Sequence, residues 1–229
     1  MAACDLKVTF AKIVCWRPIE EETIITMRVK ARHYLGILVA FLAITGVGAS
    51  IFYFLREPTN PQFLDYPTIT LLHVIPGGIY LALAPFQFLS RIRSRWLGYH
   101  RLAGRFLASM GLILGAAALF LALVIPFSGR SEQVVNGFFG MFFLISLVKG
   151  FLYIRAGQIA LHREWMIRAF AIGLSIATMR LLFVPALIIV GNPTHSQIET
   201  LSIASFTVAF CLHTAFAEYW IRRSRRLAD

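Results

Sequence analysis

The sequence predicts an all-α fold, a polytopic membrane protein built as a bundle of six transmembrane helices. Three observations predict it. Hydrophobic residues fill 58% of the 229 positions and charged residues only 14%, against about 25% charged in soluble domains. Mean hydropathy is +0.72, too apolar for a chain with one buried core. The apolar residues also fall into six nearly uncharged stretches of about 20 residues, the length that crosses a hydrocarbon layer.

The stretches run 34–55, 68–90, 102–126, 134–154, 165–190 and 198–221, flanked by an N-terminal arm (1–33) and a basic tail (222–229). The first span carries no charge. The third, fourth and fifth carry Arg105, Lys149, Arg168 and Arg180, yet stay apolar enough to insert. In the second, HVIPGGIYLALAPF sets Pro76 near His73 and Pro85 near Gln87. Proline removes a donor and frees the carbonyl four residues back, so a local break is expected there, tolerated where it lines a cavity. Gly111 and Gly115 form a GxxxG row in the third span, with Gly104 and Ala108 before it. Ala169, Gly173 and Ala177 repeat the small-residue spacing in the fifth. Such rows let helix backbones approach closely.

Charge sets the orientation. Of 22 Lys and Arg, sixteen fall in the arm, the second–third and fourth–fifth loops and the tail, against Arg56 and Arg130 on the other side. The positive-inside rule then puts both termini in the cytoplasm. The net charge of +11 is dispersed over membrane-flanking segments with no nucleic-acid-binding fold around it. This excludes nucleic acid as the partner and fits a lipid bilayer with anionic phospholipids. Arg225, in the tail, is expected to be solvated.

Lys7, Lys12 and Arg17 interrupt any signal-peptide core. Met27, followed by basic residues and an apolar span, has the pattern of a natural start, so residues 1–26 are expected to be a start-site artefact or a disordered arm. Cys4, Cys15 and Cys211 form no CxxC pair, which argues against disulfides and thiolate metal sites.

The chemistry-bearing residues are histidines. His73 and His213 lie inside apolar runs, while His100 and His162 open two others in near-matching phrases, HRLAGR and HREWMIR. An intramembrane imidazole marks a functional site by default. Hydrolytic motifs such as GxSxG and HExxH are missing, as are paired intramembrane carboxylates. Proton-coupled transport would want an acid at mid-depth, and none is there. Neutral imidazole ligates haem iron axially, and arginine suits the propionates. The expected cofactor is therefore b-type haem, and the chain a component of a membrane oxidoreductase. His100 and His162 are the first ligand pair and His73 with His213 the second. Arg101, Arg105, Arg163 and Arg168 would hold the propionates or an anionic reductant. Arg180, deep in its span with no Asp or Glu at its level, points to a bound anion. The alternative is a non-redox lipid-interacting or transporter-like bundle whose arginines grip phosphate head groups.

Four stretches carry a family resemblance: LLHVIPGGIYLALAPFQF, YHRLAGRFLA, HREWMIRAFA with ATMRL behind it, and AEYWIRRSRR. From about His33 to Arg226 the chain resembles the bacterial membrane proteins grouped as domain of unknown function 2306. The resemblance implies a multi-span protein of the bacterial inner (cytoplasmic) membrane and little more. More distantly, histidines on successive spans look like the two-haem transmembrane cytochromes b. Those proteins set their histidine pairs at matched depths, a level that His73 and His213 do not obviously share.

Overall fold

The structure, a computed structural model, describes residues 17–55 and 61–226. Expectations for residues 1–16, for Arg56 and for the last three residues of the tail lie outside the described residues. Two compact units divide the chain, Met1–Phe41 and Leu42–Asp229. The first contains the opening part of α1 (Arg17–Leu55), already helical well before the expected end of the arm at residue 33. The second contains the remainder of α1 and every later element. A 3-10 turn (Pro61–Leu64) is followed by α2 (Pro67–Gln87), a short α3 (Ser90–Arg95), α4 (Leu97–Val124), α5 (Gly129–Arg155), α6 (Ile159–Val190) and α7 (His195–Arg225).

The six long helices are long and apolar enough to cross a membrane, α1 doing so over His33–Leu55. The protein is an all-α multi-pass bundle. Chain neighbours pack in order, α2 on α4, α4 on α5, α5 on α6 and α6 on α7, while α2 also meets α6 and α5 also meets α7.

Local chemistry sets the helix ends. Pro67 opens α2 at a position where its missing N–H is not needed. Thr194 and Gln197 cap α7 reciprocally, the Thr194 N–H donating to Gln197 Oε1 at 2.8 Å. Between α5 and α6 the chain reverses through Gly157, whose φ of 72° favours glycine. The Gln158 N–H donates to the Tyr153 carbonyl at 2.9 Å and the Gly157 N–H to that of Ile154 at 3.2 Å, closing α5.

Two expectations need correction. The second span is not broken, for α2 runs unbroken through Pro76 and Pro85. Pro76 is buried, and helix neighbours at membrane depth accommodate a lost ladder bond. Helices also outrun the hydropathy-based spans at one end of the bundle: α4 begins at Leu97 rather than 102, α6 at Ile159 rather than 165, and α7 runs to Arg225 rather than 221. Hydropathy marks where apolar sequence stops, whereas a nucleated helix continues cheaply through residues such as Arg, Leu and Ala.

The small-residue rows do pack. A Cβ on Gly111 would lie 2.8 Å from Leu147 Cδ1, and one on Gly115 2.7 Å from Leu144 Cδ2. Tyr80 of α2, 2% exposed, fills the junction of four helices. Its ring lies between Gly111 of α4 and Gly173 of α6, whose Cβ atoms would sit 3.3 and 3.2 Å from it. Its edge meets Phe143 of α5 at 5.8 Å between ring centroids. Ala84, Leu107, Leu147, Ala169, Ile172 and Phe210 complete this core.

Candidate functional site at the basic end

The C-termini of α2, α5 and α7 and the N-termini of α4 and α6 share one end of the bundle, the end where α3 lies. There the two His-Arg phrases fold alike. His100 is the fourth residue of α4 and His162 the fourth of α6. Their N–H groups make the corresponding first-turn bonds, to Trp96 at 2.9 Å and to Gln158 at 3.0 Å. The sequence made these residues helix openers; the structure sets each one turn inside.

The structure brings the first histidine pair together. His100 and His162 lie within electrostatic range of one another, and His100 also of Arg93. His162 Nδ1 hydrogen-bonds the Gly150 carbonyl at 2.8 Å. A carbonyl only accepts, so Nδ1 carries the hydrogen and Nε2 keeps a lone pair in the neutral ring. His100 Nδ1 is buried with no hydrogen-bond partner, as is Gln87 Oε1. A Cβ on Gly104, one turn beyond His100 on the same face, would lie 3.6 Å from that Gln87 oxygen. Two unsatisfied polar atoms thus sit along one stripe of α4.

The cations around them are not quite those the sequence suggested. Arg93 of α3 lies within electrostatic range of Arg163 of α6, and burial, then Arg163, pushes the Arg93 guanidinium below its ordinary range. Arg101 and Arg105 are exposed, about 100° and 140° around α4 from His100. Arg168 is already engaged. Its Nε donates to Glu218 Oε1 at 2.5 Å and its Nη2 to Oε2 at 3.1 Å, with Glu164 a further 4.0 Å contact. Its guanidinium also lies 4.6 Å from the Trp165 ring, which Lys149 approaches at 4.5 Å. Arg225 is exposed, as expected, and there donates through Nε at 2.6 Å and through Nη2 to the two oxygens of Glu164.

The second histidine pair is not brought together. His213 Nε2 hydrogen-bonds Thr178 Oγ1 of α6 at 2.7 Å. His73 hydrogen-bonds the Leu114 carbonyl of α4 at 3.4 Å through Nδ1 and lies within electrostatic range of Arg180. Thr178 and Arg180 are two residues apart, hence about 200° apart around α6. The two histidines thus take different partners, His73 on α4 and His213 on α6.

Sequence reasoning passed over three contributors at this end and one buried acid at the other. Arg93 was one arginine among several in a basic loop, and no signal singled it out. Glu164 and Glu218 read as scattered acids, although Glu164 and Arg168 stand four apart on a helix, a pairing distance. Glu132 is 6% exposed and accepts from the Ser128 N–H at 2.5 Å and from Asn136 Nδ2 at 3.1 Å. It caps α5 at the far end. Among the described residues no group of three His, Cys, Asp or Glu is placed to hold a metal ion.

No curated protein and no solved structure matches the chain. The distant likeness to two-haem cytochromes b gains no support from these comparisons. Residues 70–221, most of the transmembrane region, match the family described as predicted membrane protein (DUF2306), and the chain belongs to that family.

Proposed function

We propose that the basic end binds an amphiphilic anion, with b-type haem for electron transfer as the leading ligand. The observation that carries this reading is the anchoring of His162. An Nδ1–H held by a backbone carbonyl is the arrangement that orients an imidazole for metal ligation through Nε2. His100, at the equivalent position of α4, supplies the second imidazole. Arg93 and Arg163 match a propionate. The excess of Lys and Arg around this end supports its placement in the cytoplasm, with the chain in a bacterial inner membrane.

A second reading is favoured by a specific observation. His100 Nδ1 is buried without a partner, whereas a ligating histidine ordinarily anchors its second nitrogen. In this reading an anionic phospholipid head group lies among Arg93, Arg163 and the two imidazoles, and the protein is a lipid-interacting or transporter-like bundle. The visible spectrum of the purified protein separates the two. Haem gives a Soret band and a reduced α-band that vanish in His162→Ala and His100→Ala while the chain still inserts. A phospholipid gives no band, and its retention through purification falls in Arg93→Ala with Arg163→Ala. Unchanged spectrum and lipid content in all four variants would defeat both readings.

A further inference from the structure

Arg180 occupies a place where a cation is hard to keep. It lies ten residues before the end of α6 at Val190, about 15 Å by helical rise, or half of a hydrocarbon core about 30 Å thick. An arginine near a helix end ordinarily snorkels, running its stem toward the closer water. Arg180 does the reverse. Its Nη1 donates to the Ile176 carbonyl at 3.1 Å, one turn back along α6 and so away from the nearer helix end.

No carboxylate meets it there. Among the described residues, Glu164 and Glu218 hold Arg168 and Arg225, and Glu199 pairs with His195. Glu132 is bound by Ser128 and Asn136, and Asp65 is exposed before α2 begins. One carbonyl satisfies one of five guanidinium N–H donors.

A second polar group lies within electrostatic range of it. His73 of α2 gives its Nδ1–H to Leu114 of α4, which leaves a lone pair at Nε2 of the neutral ring. The neighbourhood therefore combines a forked cationic donor with a single acceptor. Apolar side chains on either flank need neither.

We propose that Arg180 and His73 form an oxyanion site inside the membrane, between α2, α4 and α6. The guanidinium neutralises a carboxylate or phosphate through paired N–H···O bonds, and His73 Nε2 accepts from a hydroxyl on the same ligand. The charged group belongs either to a lipid or to a small free anion. This site is separate from the basic end and does not depend on what binds there.

The test measures the thermal unfolding midpoint of the full chain in dodecyl maltoside, titrated with oleate, with inorganic phosphate and with oleyl alcohol. A ligand that binds the native state raises the midpoint in proportion to its affinity. Wild type should respond to oleate or to phosphate and not to oleyl alcohol. A response to oleate alone assigns a lipid-borne anion; a response to phosphate alone assigns a free one. Arg180→Gln should abolish the response, and Arg180→Lys should keep a weakened one because it lacks the fork. Arg222→Gln with Arg226→Gln should leave it intact, which excludes the tail. His73→Gln keeps the measurement open if Arg180→Gln does not fold, and should weaken binding of phosphate, the anion that carries a hydroxyl, about tenfold. The proposal is overturned if wild type responds to neither anion, if Arg180→Gln binds as wild type does, or if His73→Gln binds phosphate as wild type does. Any absorbance from the basic end should be unchanged in these variants.

Discussion

Arg168 grips Glu218 with two parallel hydrogen bonds, Nε at 2.5 Å and Nη2 at 3.1 Å, and so ties α6 to α7 across 50 residues of sequence. Both side chains are largely withdrawn from solvent, at 13% and 32% exposure. Glu218→Gln should therefore cost about 1.5–3 kcal/mol, the range for hydrogen bonds to charged groups, read as a lower unfolding midpoint in detergent. Replacing both partners with Met should recover part of the loss, because a buried cation is no longer left alone. Equal midpoints for wild type and Glu218→Gln would show that the pair contributes nothing to stability.

The contact between α4 and α5 should be equally sensitive to a single methyl group. In Gly111→Ala the new Cβ meets Leu147 and Tyr80 at 2.8 and 3.3 Å, and overpacking of this kind costs about 1–3 kcal/mol. Gly98→Ala meets nothing within 4 Å and should be neutral or slightly stabilising. Thermal unfolding of the two variants side by side checks the contrast; a Gly111→Ala protein as stable as wild type would mean that these helices separate freely.

Gly157→Ala tests the α5–α6 reversal. At φ of 72° a Cβ costs about 1 kcal/mol. The strain acts next to the Gly150–His162 bond, so the variant should also shift any absorbance or lipid retention at the basic end. If stability falls and the ligand signal does not, the turn and the site are independent.

Reporter fusions check the orientation. A fusion after Asp229 should be active only in the cytoplasm, and one placed between Pro58 and Pro67 only on the opposite side. The reverse pattern would place the His100–His162 end outside the cell and exclude a cytoplasmic electron donor.

The architecture was legible because lipid imposes a length on every span, and because small residues at a spacing of four have few uses other than close packing. Gly111, Gly115 and Gly173 meet their neighbours as that spacing implies. The histidines were half legible. Matching phrases announced that His100 and His162 would share a level, since each starts a helix entering the same face. Nothing in the sequence could reveal that His73 and His213 take separate partners, Leu114 of α4 and Thr178 of α6, because that depends on how α2 and α7 pack on their neighbours. The exposure of Arg225 was legible but its pairing with Glu164 was not, for a similar reason: the two stand 61 residues apart.

The tight reversal at Gly157 also has a temporal consequence. His162 finds its anchor at Gly150 only 12 positions away, inside one hairpin with a turn of a few residues. Short loops close at low entropic cost, so the imidazole can be oriented as soon as α5 and α6 have left the ribosome. The lock between Arg168 and Glu218 must wait for the last helix to be synthesised. A nascent chain would thus display an ordered histidine before the bundle is sealed.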